Sequence, residues 1–122
     1  MCRSPGTLRD SKGRIYQLAN DWADARISDR VLKNACQSTG LKQSPDAILA
    51  KLEEYLRHKG PTHGRAAILG AFKLGQQYRT HGPWTKIFKR LCAEGRIIRY
   101  KRGDPQRGPT LFAHVDHTRC HL

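Results

Sequence analysis

Residues 83–115 read Pro83-Trp84-Thr85-Lys86-Ile87-Phe88-Lys89-Arg90-Leu91-Cys92-Ala93-Glu94-Gly95, then Arg96-Ile97-Ile98-Arg99-Tyr100-Lys101-Arg102, then Gly103-Asp104-Pro105-Gln106-Arg107-Gly108-Pro109, then Thr110-Leu111-Phe112-Ala113-His114-Val115. Trp84, Ile87, Phe88 and Leu91 fall at i, i+3, i+4 and i+7, one face of a helix that starts at Pro83 and stops at Gly95. Lys86, Lys89 and Arg90 fall on a second face, with Thr85 between the two. From Arg96 the period changes from 3.6 to 2, with Ile98 and Tyr100 expected inward and Arg99 and Lys101 outward. A glycine/proline loop with Arg107 near its tip follows. The return strand turns Leu111, Ala113 and Val115 inward and leaves His114 on its outer side.

A cationic helix feeding a hairpin with a basic loop suits a polyanion. Lysines on the helix could enter a major groove, and the loop arginine could reach a neighbouring phosphate. The totals agree. The 122 residues are one domain's worth, with a formal charge of +13 and a pI near 10.2. Residues 61–122 hold twelve Lys/Arg against three Asp/Glu, whereas residues 1–40 hold seven against four. The excess therefore sits beside the helix and hairpin, which points to nucleic acid before an anionic membrane.

Working outward, Ser44-Pro45-Asp46 is a strong helix start: a cap, a proline at the first helical position and an acid at the positive dipole end. Ile48, Leu49, Leu52, Tyr55 and Leu56 form its buried stripe, and Gly60-Pro61 stops it. Thr62 to Gln77 reads as a buried helix weakened, or packed closely, at Gly70 and Gly75. Gln76 to Gly82 reads as a long polar loop. Upstream, Ile15, Leu18, Trp22 and Ala25 recur at helical steps from Gly13. A second short helix follows, capped by Ser28, with Val31, Leu32, Ala35 and Cys36 apolar and Gly40 as its stop. Met1 to Lys12 is polar and expected to fray.

Between Ser44 and Val115 the chain resembles the winged helix-turn-helix domains of bacterial and archaeal transcription regulators. The resemblance rests on Ile48-Leu49-Ala50-Lys51-Leu52-Glu53-Glu54-Tyr55-Leu56 and on Ile87-Phe88-Lys89-Arg90-Leu91-Cys92-Ala93-Glu94-Gly95-Arg96-Ile97-Ile98-Arg99. It departs from the family in the long Gln76–Gly82 link. The expected fold is mainly α with a C-terminal β-hairpin: a winged helix over 44–116, a two-helix extension over 13–43, a flexible 1–12 and a tail over 117–122. The resemblance implies DNA binding through Thr85, Lys86, Lys89 and Arg90, with wing arginines on the backbone. The expected set is Thr85, Lys86, Lys89, Arg90, Arg99, Lys101, Arg102 and Arg107, acting on duplex DNA as a small transcriptional regulator. The alternative is a structural, protein-partner or RNA-binding module of a nucleoprotein complex. The Ile15/Leu18/Trp22 stripe suggests a homodimer contact through the N-terminal helices.

Other chemistries find less support. His114, His117, Cys120 and His121 are four donors within eight residues, which suits zinc or copper. No Cys-x-x-Cys accompanies them, so no metal or other cofactor is expected. A phosphate-binding glycine loop, a Gly-x-Ser-x-Gly elbow and a close carboxylate pair are all missing, which argues against an enzyme. No apolar run approaches the roughly 20 residues of a membrane span, and no secretory pattern opens the chain. The scattered Cys2, Cys36, Cys92 and Cys120 read as reduced thiols in a cytoplasmic protein.

Overall fold

The computed structural model describes residues 7–9, 12–79, 82–103 and 109–115. Strand β1 (Thr7–Arg9) and strand β2 (Ile15–Leu18) come first, then a 3-10 helix (Asn20–Asp24) and helix α1 (Asp29–Ser38). Helix α2 (Pro45–Lys59), strand β3 (Thr62–His63) and helix α3 (Gly64–Ala71) follow. Helix α4 (Pro83–Ala93), strand β4 (Ile97–Lys101) and strand β5 (Thr110–His114) complete the chain. All five strands form one antiparallel sheet in the order β1-β2-β4-β5-β3.

This corrects the expected fold. The molecule is not mainly α with a protruding two-stranded wing, because β4 and β5 are the interior of a five-stranded curled sheet, flanked by β2 and β3. The two-helix extension is also replaced. Its first helix is β2 plus the 3-10 helix, and β2 pairs Gln17 with Lys101 and Leu18 with Tyr100. The positive φ of Gly13, 79°, sits between β1 and β2, a conformation glycine adopts without strain. Pairing with the distant β4 overrode a helical spacing carried by only four apolar residues. Ile15 and Leu18 now lie on opposite faces of a strand, so the apolar stripe that suggested a dimer contact does not exist as one surface.

The helices form as their caps dictate. The Ser28 and Ser44 hydroxyls accept hydrogen bonds from the Val31 and Ala47 amides at the starts of α1 and α2. Gly60, at φ 89°, closes α2. In α3 a Cβ at Gly70 would lie 2.3 Å from the Tyr55 hydroxyl, so glycine there lets α3 lie closely on α2.

The sheet has two covered faces. Leu32, Ile48, Leu52, Leu56, Ile68, Trp84, Ile87 and Leu91 of the four helices form the main core, which takes in Ile97 and Phe112 from one face of the sheet. Tyr16, Tyr100, Leu111 and Ala113 form a second core on the opposite face. The Tyr16 hydroxyl lies 3.4 Å from His63 Nε2. Those residues belong to strands separated by β4 and β5, about 14 Å apart in a flat sheet, so the contact demonstrates the curl. Residues expected inward (Tyr100, Leu111, Ala113) face the concave core, while the helices pack on the face carrying Arg99 and Phe112. Arg99 is therefore buried, not outward, and so is His114. No described helix is long and apolar enough to cross a membrane.

Candidate nucleic-acid interface

Helix α4 is less open than its cationic face suggests. It packs chiefly on α1 and on the 3-10 helix, leaving Thr85 and Lys86 exposed. Lys89 Nζ sits 5.6 Å from the centre of the Trp22 ring. Arg90 donates to the Ile27 carbonyl at 2.5 Å and to Asp29 at 2.8 Å, and it lies 3.4 Å from Glu94. Desolvation lowers the Arg90 pKa, but bonds to Asp29 and Glu94 outweigh it and hold the guanidinium above its ordinary value. Arg90 is a clamp between α4 and the start of α1. It does not join the open cationic face that the spacing assigned to it.

The strand cations divide in the same way. Arg99 Nη1 donates to Asp21 Oδ1 at 2.7 Å, and its Cζ lies 4.3 Å from the Trp22 ring centre. The 3-10 helix is thereby tied to β4, and Arg99 is not available to a phosphate. Lys101 shares the helix-side face with Gln17 and Thr110 and is half-buried. Arg102 is half-buried, its backbone N–H bonded to the Pro109 carbonyl. Arg107, His117, Cys120 and His121 lie outside the described residues, as do Cys2 and the loop tip. Among the described residues no group of three metal-ligating side chains gathers. Cys36 and Cys92 are buried free thiols; burial pushes Cys92 up to about 12 despite the opposing charge of Arg99, which removes thiolate reactivity at neutral pH.

Carboxylates are distributed unevenly. Asp21, Asp29, Glu53, Glu54 and Glu94 are engaged by Arg99, Arg90, Arg96, Arg57 and His58. One surface hollow, between α1, α2 and α4, carries three acids (Asp29, Asp46 and Glu94) beside Lys33, Arg90 and Arg96. Four other hollows show no carboxylate among their described lining residues, and three of them share His63. The first holds Lys86 with Asn34, Ser38 and the uncapped start of α4 at Gly82. The second holds Thr85, next along the helix from Lys86, together with His63 and Arg65. The third shares His63 and Arg65 and extends to Gln76. The fourth shares His63 and adds Lys12, Arg14 and Lys59. The three hollows that share His63 thus form a band, with no carboxylate among its described lining residues, from Thr85 of α4 around the N-terminus of α3 to Lys12 and Arg14, and the Lys86 hollow lies next along α4.

His63 is the common wall of three of these hollows. Its Nδ1 lies 3.0 Å from the Thr110 carbonyl. A carbonyl only accepts, so Nδ1 carries the hydrogen, and Nε2 faces the Tyr16 hydroxyl. Sequence reasoning missed His63, Arg65, Lys12, Arg14 and Lys59, because only the curl of the sheet brings residues 12–14 next to residues 59–66. No known protein-family model, no curated protein and no solved structure matches this chain.

Proposed function

We propose that this protein binds nucleic acid, duplex DNA in the first place, by seating the phosphate backbone along this band. The observation that carries the proposal is the sorting of charge. Among the described residues, Asp21, Asp29, Glu53 and Glu94 are matched to Arg90, Arg96 and Arg99, while the hollows that hold Lys12, Arg14, Lys59, Arg65 and Lys86 show no carboxylate among their described lining residues. Cations spaced along a concave track attract phosphates and release condensed counterions on binding. Backbone attachment is favoured over base reading, since α1 and the 3-10 helix flank α4 and only Thr85 and Lys86 of the expected helical set project freely. A role in packaging DNA or in assembling a nucleoprotein complex suits this better than operator selection.

The protein works by binding rather than catalysis, and in a reducing, cytoplasmic setting suited to the buried thiols of Cys36 and Cys92. The test is a titration of the full chain against random-sequence duplex DNA and structured RNA across salt concentrations. A slope of log K against log salt of about −4 follows from four or five phosphate contacts on duplex DNA. No binding to the duplex at low salt would sink the proposal.

A further inference from the structure

Of the four hollows, the one behind Thr85 differs in chemistry. Its floor is Trp84, Phe88 and Phe112, all buried, and Phe88 and Phe112 stack with ring centres 4.3 Å apart. Trp22 forms one wall, 6.0 Å from Phe112, and Arg65, Thr85 and Thr110 form the rim. A Cβ at Gly64 would stand 3.1 Å from Phe112, so glycine lets the first turn of α3 come close to the aromatic pair. The volume, about 340 Å³, falls in the range of small-molecule sites. Trp84 Nε1 itself is buried, out of solvent contact, without a hydrogen-bond partner among the described residues. A buried N–H without a partner is destabilising and uncommon.

An aromatic hollow with Arg65 at its rim, opening onto the proposed phosphate band, describes a receptor for a flat ring attached to a phosphodiester. We infer that this hollow receives one unpaired nucleobase of a bound strand while its flanking phosphates lie along the band. The base lies against the Trp22 ring and the part of the aromatic floor that lines the hollow. Arg65 and Lys86, on either side of Thr85, take the phosphates before and after it. Lys89, whose contact with Trp22 is at the long end of cation–π distances, swings from the indole to the nearer phosphate when the base enters. A paired base cannot enter, because its rings are stacked on both sides. The inference rests on the nucleic-acid-binding reading and adds to it a preference for strands with an unpaired nucleotide.

Trp22 and Trp84 are the chain's two tryptophans and both line the hollow, so intrinsic emission reports directly on its occupancy. The experiment titrates the full chain with a single-stranded DNA octamer, the RNA octamer of the same sequence, a blunt duplex, and an abasic phosphodiester of the same length and charge as the octamers. Tryptophan emission and the anisotropy of a label on the nucleic acid are read together. Entry of a base quenches emission with at least one octamer, the blunt duplex binds without quenching, and the abasic strand binds about tenfold more weakly than the octamers. Thr85→Glu, an exposed rim position, abolishes the quench. Quenching by one octamer alone identifies DNA or RNA as the source of the base. Equal affinity for octamer and abasic strand, with unchanged emission, overturns the base site but leaves phosphate binding standing. Failure of every ligand to bind at low salt overturns both.

Discussion

Replacing Asp21 with alanine tests whether Arg99 is a structural cation. The Arg99 side chain is 10% exposed, and Asp21, 2.7 Å away, is its carboxylate partner. Its Nε is already without a hydrogen-bond partner, so Asp21→Ala leaves the guanidinium with the Trp22 ring alone. Breaking a fully buried pair from one side costs about 3–5 kcal/mol. Asp21 is 68% exposed and water replaces part of the lost partner, which brings the expected loss to about 1–3 kcal/mol. Asp24, on the same 3-10 helix and exposed, is the control; Asp24→Ala stays within about 0.5 kcal/mol of the parent. Urea unfolding followed by tryptophan emission compares the two. The double variant Asp21→Ala/Arg99→Met, which removes both charges, recovers much of the loss because no unpaired charge remains. Equal stability of the two single alanine variants would refute the reasoning, and so would a double variant less stable than Asp21→Ala.

Three further outcomes follow from the packing. Gly70→Ala drives a methyl into the Tyr55 ring and lowers stability by about 1–2 kcal/mol, overpacking outweighing the gain in helix propensity; a midpoint equal to or above the parent in urea contradicts it. Ser44→Ala, which removes the hydroxyl accepting from Ala47 N–H, costs about 1 kcal/mol by the same assay. For pH, burial raises Cys92 from 9.0 to about 12, so above pH 9 the unfolded chain releases a proton that the folded chain keeps. Stability therefore falls as pH rises through this window, by up to about 1.4 kcal/mol per unit from this thiol. Tyr100, raised by burial from 10.0 to about 12, adds a fall of the same sign above pH 10. Cys92→Ala should flatten the fall between pH 9 and 10, and an unchanged slope there would remove the thiol as its cause.

Elements carried by local chemistry were legible in the sequence. The Ser28 and Ser44 caps, Pro45, Gly60 and Gly95 place α1, α2 and the end of α4 within a residue or two, because caps and stops act on neighbours in the chain. The strands β4 and β5 were also where alternation put them. The topology was not legible. Residues 15–18 satisfy a helical period as well as a strand, and the choice is made by pairing with residues more than 80 positions away. The same non-local pairing covers both faces of the hairpin, so alternation alone could not reveal that Arg99 lies beneath Trp22. Among the expected site residues, Thr85 and Lys86 remain on the open surface, whereas Arg90 and Arg99 hold the fold together. Spacing identifies a cation's face but not whether an aspartate from another element waits on it.

The central claim is that position, rather than total charge, makes the band the nucleic-acid surface. Two triple variants of identical net charge test it: Lys12→Ala/Lys59→Ala/Lys86→Ala within the band, and Lys33→Ala/Lys42→Ala/Lys51→Ala outside it. The measurement is the salt dependence of duplex DNA affinity for each. The band variant should lose about 2–3 units of slope, with the outer variant close to the parent. Equal slopes for the two variants would contradict the account.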